Sequence, residues 1–164
     1  MFNTNKGTAT IANDTWLTPP ELLTALGQFD LDPCCPANMP WSTAAQMICL
    51  PADGLKATWH GRVWCNPPFS ATLPWITKMV KHGNGIMLLP AKSPETVWGQ
   101  TVLGTSDAVL FQKGRLLFHY LDGTKSVGKW SPYMLCAYGS NNVEVLRQAV
   151  VGKVTPGVLL TREK

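Results

Sequence analysis

The chain has 164 residues, 45% of them apolar and 15% charged, a composition that suits one globular domain burying its own core without staples. Fourteen Lys and Arg against ten Asp and Glu give a formal charge of +4, which permits a polyanionic partner without requiring one. No stretch reaches the roughly 18 uncharged apolar residues that span a bilayer, and the opening MFNTNKGTATIAND lacks the apolar centre of a signal peptide, so no membrane association is expected and the location expected is the cytoplasm.

Taken in chain order, residues 1–13 read as a flexible segment at the start of one 1–164 domain. Thr18-Pro19-Pro20-Glu21 has the pattern of a capping box with proline at the first helical position, which predicts a helix through Leu22, Leu23 and Leu26. Short apolar runs bounded by Gly, Pro, Asp or Asn predict strands at 29–31, 47–50, 62–65, 86–89, 108–111, 116–120 and 133–138. Between them, Leu73-Pro74 opens a helix through Ile76, Met79 and Val80, Ser93-Pro94 opens one towards Leu103, and 143–150 suits a fourth. Alternating strands and helices predict an α/β fold with a mixed, largely parallel sheet and helices on both faces; 116–138 reads as antiparallel, with a turn at Asp122-Gly123. The cysteines, at 34, 35, 49, 65 and 136, form no paired CxxC spacing, so reduced and mostly buried thiols are expected and no metal site. His60, His82 and His119 show no ligand spacing and receive no catalytic task.

The chemistry concentrates at Asn66-Pro67-Pro68-Phe69, directly after the strand at 62–65. Ligands in open α/β sheets bind beyond the carboxyl ends of strands, and two prolines make this loop rigid and leave carbonyl oxygens to face a ligand. An amino group on an aromatic ring is a poor nucleophile because its lone pair is delocalised. The Asn66 side-chain carbonyl and the Pro67 main-chain carbonyl can each accept one of its two N–H bonds, redirecting the lone pair and stabilising the positive charge that develops on nitrogen. Phe69 can stack on the ring. The bland alternative is an Asn-Pro turn with Phe69 in the core.

With these residues in view, the chain resembles the amino-methyltransferases with a D/N/S-P-P-Y/F/W loop, and among them the small phage-type DNA N6-adenine methyltransferases. The resemblance rests on Asp14-Thr15-Trp16-Leu17-Thr18-Pro19, Leu31-Asp32-Pro33-Cys34-Cys35 and 61–69, with 87–91, Trp98 and 113–118 following in order, and it covers about 14–138. It implies a Rossmann-like methyltransferase fold and S-adenosylmethionine as methyl donor, with S-adenosylhomocysteine as product and DNA as partner. It further implies that Trp16, Thr18 and Pro19 contact the cofactor, Thr18 and Pro19 at its methionine end, and that Asp32 accepts from its amino group. A carboxylate at a strand end suits that task, against the alternative of a solvated Asp before a proline turn. Asp53 stands where related enzymes place an acid against the cofactor adenine. The run after Asp32 departs from the broader pattern in having no glycine-rich turn. Lys113 and Arg115 read as phosphate or base contacts, or as a solvated basic turn.

The loop chemistry itself does not separate adenine N6 from cytosine N4, an RNA adenine or a protein glutamine, all planar amino groups. Resemblance favours DNA adenine. Cytosine C5 methylation through Cys34 of Pro33-Cys34 lacks a visible acid partner, and a degenerate fold that only binds DNA conflicts with the intact loop. So short a chain leaves little room for a separate target-recognition domain, so a short site, single strands or a second subunit, as monomer or homodimer, are expected.

Overall fold

A computed structural model describes residues 15–127 and 132–163. Asp14 and the 1–13 segment lie outside the described residues. In chain order the elements are α1 (Pro20–Leu26), β1 (Leu31–Cys35), β2 (Gln46–Cys49), β3 (Val63–Cys65), α2 (Thr72–His82), β4 (Gly85–Pro90), α3 (Val97–Thr105), β5 (Ala108–Gln112), β6 (Tyr133–Tyr138), α4 (Ser140–Val151) and β7 (Gly157–Thr161).

The strands form one sheet in the order β2-β1-β3-β4-β6-β5-β7. Strands β1 to β4 are mutually parallel, β6 is antiparallel to both β4 and β5, and β7 is antiparallel to β5. Strand β5 therefore points the same way as β1 to β4, and the carboxyl ends of all five meet one edge. Side chains alternate between two cores. Trp64, Ile86, Leu88, Leu110 and Leu135 pack with α1 and α4, while Val63, Met87, Leu89, Val109 and Met134 pack with α2 and α3. Helices thus cover both faces, as expected. Central β4 is buried at all six positions, which is why Gly85–Pro90 reads as a continuous apolar run rather than an alternating one.

Several boundaries differ from the sequence expectation. The first strand begins at Leu31 and runs through Pro33 to Cys35, so Asp32 lies inside β1 rather than at its end. Residues 116–120 form no strand; His119 alone makes bridges, to Leu17 and Lys125. The turn at Asp122-Gly123 is present, with Gly123 N donating to Tyr120 O at 2.9 Å. Helix α3 starts at Val97 rather than Pro94, because Thr96 supplies the N-cap and accepts from Gly99 N. Helix α1 starts at Pro20, but its N-cap is Pro19 and no side chain caps it. Strand β7 has no counterpart among the predicted strands. Nor are all five thiols reduced: Cys35 and Cys49 are register partners on adjacent β1 and β2, close enough to be joined as a disulfide, while Cys34, Cys65 and Cys136 are free. Among the described residues no helix is long and apolar enough to cross a membrane.

What positions a site is the change of direction around β1. The chain steps outward from β1 to β2 and then crosses back to β3 on the other side. Neither connection contains a helix. A crevice is left beyond the carboxyl ends of β1 and β3, the place where open α/β sheets bind ligands.

Candidate active site

Strand β3 is buried throughout, and Trp64 anchors it against Phe29 with ring centroids 5.5 Å apart. Asn66 follows at once. Its Nδ2 donates to the Trp16 main-chain oxygen at 2.8 Å and lies 3.3 Å from the Thr18 hydroxyl. A main-chain carbonyl can only accept, so this contact fixes which end of the amide is nitrogen and turns Oδ1 away from Trp16. Thr18 lies one residue before the N-cap of α1, and its hydroxyl accepts from Asn66 rather than from the helix start.

The crevice is lined by Trp16, Thr18, Asp32, Asp53 and all of Asn66-Pro67-Pro68-Phe69. Phe69 has two neighbourhoods. It lines the crevice and also packs edge-on against Phe118, centroids 6.5 Å apart. Pro19 is buried behind the wall rather than on it. Lys113 and Arg115 are outside the crevice, exposed beyond the end of β5 on the same sheet edge as Asn66.

Asp32 is 4% exposed, so it is not a solvated turn residue. Its Oδ1 accepts from Cys34 N at 2.9 Å and its Oδ2 from the Thr43 hydroxyl. Burial pushes its pKa up to about 6, against the opposing pull of the Thr43 and Cys34 hydrogen bonds. A carboxyl held this way favours a cationic partner, since an ammonium beside it would offset the desolvation of the charged form. Asp53 sits at the exposed rim, where it accepts from Leu55 N at 3.0 Å and faces Lys56 at 3.5 Å.

Three wall residues escaped the sequence reading. Thr43 bonds Asp32 across eleven positions of chain, and no local pattern announces such a pair. Trp75, on α2, adds an aromatic surface to the crevice and stacks on Trp59. Gly54 is the third: a Cβ there would stand 1.8 Å from the Pro33 carbonyl oxygen. A glycine from the β2–β3 connection thus lets that backbone pack directly on β1 beside the crevice. The Asp53-Gly54 pair was its only signal. Cys34 also lines the crevice, and burial, reinforced by neighbouring Cys34, pushes the Cys65 thiol well up. Among the described residues no group of His, Cys, Asp or Glu could hold a metal ion.

A family model described as DNA N-6-adenine-methyltransferase (Dam) matches residues 5–135 of the chain. Neither the curated proteins nor the solved structures contain a match.

Proposed function

The chain belongs to the DNA N-6-adenine-methyltransferase (Dam) family, and from that premise we propose that it transfers a methyl group from S-adenosylmethionine to the N6 amino group of adenine in DNA, at Asn66. The observation that carries this reading is the Asn66 amide, tied by its nitrogen to Trp16 O so that Oδ1 is left to accept, in a crevice shared with the buried carboxyl of Asp32.

The crevice suits the donor. Asp32 would pair with the ammonium of its methionine end, Trp16 and Thr18 would flank that end, and Asp53 would accept from the cofactor adenine at the rim. When bound, S-adenosylmethionine supplies an electrophilic sulfonium methyl. Asn66 Oδ1 and the Pro67 carbonyl accept the two N6 hydrogens of the target, which localises the lone pair and stabilises the charge developing on nitrogen. Phe69 holds the adenine ring. With both hydrogens held, the N6 lone pair would be aimed at the methyl that the cofactor supplies, and Asn66 Oδ1 and the Pro67 carbonyl would hold the nitrogen's proton until it passes to solvent. Lys113 and Arg115 would neutralise phosphates at the same edge.

The test is incubation with labelled S-adenosylmethionine and DNA, followed by digestion to nucleosides. Label in N6-methyladenine is the expected result. Label in N4-methylcytosine would reassign the base, and label only in RNA or protein would overturn the DNA reading.

A further inference from the structure

The longest stretch between two named elements, 113–132, joins β5 to β6. It leaves the sheet at the edge that carries Asn66, because β5 points the same way as β3. Its described part contains a short hairpin: His119 pairs with Lys125, Ser126 N donates to Phe118 O at 2.8 Å, and Tyr120 N donates to Thr124 O at 2.9 Å. The turn is tight. Gly123 adopts φ +82°, and the Asp122 carboxylate accepts from both the amide and the hydroxyl of Thr124, which holds its pKa below the usual range.

The hairpin is fastened to the crevice wall. His119 and Leu17 exchange both main-chain hydrogen bonds at 3.0 Å, Phe118 meets Phe69, and Tyr120 meets Trp16 with centroids 5.8 Å apart. Gly123 at the turn lies against Pro40 and Trp41. Its outer surface does not suit a turn. Leu121, at the corner, is 44% exposed, Leu117 is 41% exposed and Val127 86% exposed. Turn corners favour Asp, Asn, Ser and Pro, so a half-exposed leucine stands out there. Exposed Lys113, Arg115 and Lys125 accompany these apolar groups. The Asp122 carboxylate beside Leu121 is folded back onto Thr124, and an exposed leucine at the corner, with cations along the arm, matches stacked bases between phosphate backbones.

Building on the DNA-methylation reading above, we propose that this hairpin enters duplex DNA, with Leu121 as the wedge that fills the stack where the target adenine leaves for Asn66. Lys113, Arg115 and Lys125 sit on flanking phosphates. Extracting a base forfeits its stacking and pairing, and a braced apolar side chain in the gap offsets part of that loss.

The test uses a duplex containing the site that the wild type methylates, with 2-aminopurine at the target base. Wild type should raise its fluorescence. Leu121→Ala should lose that rise and drop kcat/KM on duplex roughly tenfold, while keeping the wild-type rate on single strands and recovering on a duplex whose target adenine is mispaired. Leu121→Met should behave as wild type. Equal losses on single and double strands, or a duplex rate unchanged by Leu121→Ala, would overturn the wedge alone. Failure of the wild type to methylate any DNA would overturn the functional reading, and the wedge with it.

Discussion

At Asn66 the nitrogen of the amide is spent on Trp16 and Thr18, so only its oxygen remains for a substrate. Asn66→Ala removes one of two acceptors from a preorganised site. Turnover should fall by roughly 10²–10³-fold while S-adenosylhomocysteine still binds, as calorimetry beside a methylation assay would check. Asp32 yields a pH prediction with two opposite slopes. Its folded pKa, about 6, lies above the ordinary carboxylate value of about 4. The unliganded fold therefore binds a proton more tightly than the unfolded chain does, and this stabilisation is complete below pH about 4 and gone above about 6. Ligand binding runs the other way, because an ammonium needs the ionised carboxylate: S-adenosylhomocysteine affinity should rise from pH 4 to 6. Asp32→Asn should flatten both profiles, in urea midpoints and in binding constants. A wild-type binding profile level across that window would argue against the ammonium contact.

Among the elements, the β1–β2 side of the sheet depends on contacts that no local pattern reveals. Gly54→Ala would drive a Cβ into the Pro33 carbonyl, and backbone cannot yield as a side chain end would. We expect a loss of about 1–3 kcal/mol in stability together with loss of cofactor binding, read by thermal melting and calorimetry. Pairing of Cys35 with Cys49 predicts that the denatured chain titrates three thiols without reductant and five with it. Five titratable thiols in both conditions would refute the pairing. Element positions were legible where periodicity and punctuation agreed. Leu73-Pro74 opens α2 and Gly83 closes it in the left-handed region, and the buried run of β4 stood out by its length. The misplaced boundaries have different causes: α3 starts late because a local cap at Thr96 prevailed over Ser93-Pro94, whereas at the start of α1 the Thr18 hydroxyl accepts from Asn66 across the fold.

Across the molecule, exposed Lys113 and Arg115 lie at the sheet edge that carries Asn66, where the proposed reading places DNA. Lys113→Ala with Arg115→Ala should weaken DNA binding at low salt and reduce the slope of log affinity against log salt by up to about 2, since each phosphate contact contributes about 0.9. Cofactor binding should not change. The sequence by itself determined the sheet's class and marked Asn66-Pro67-Pro68-Phe69 as the candidate loop beyond β3, because strands, the asparagine that follows β3 and the prolines after it act through neighbours in the chain. Tertiary structure alone decided that the Asn66 amide nitrogen is held by Trp16, why Asp32 is hard to ionise, that Gly54 is pressed against the Pro33 carbonyl, and that Leu121 stands exposed on a braced arm. Each of these depends on atoms distant in sequence and close in space, and a one-dimensional pattern does not encode such distances.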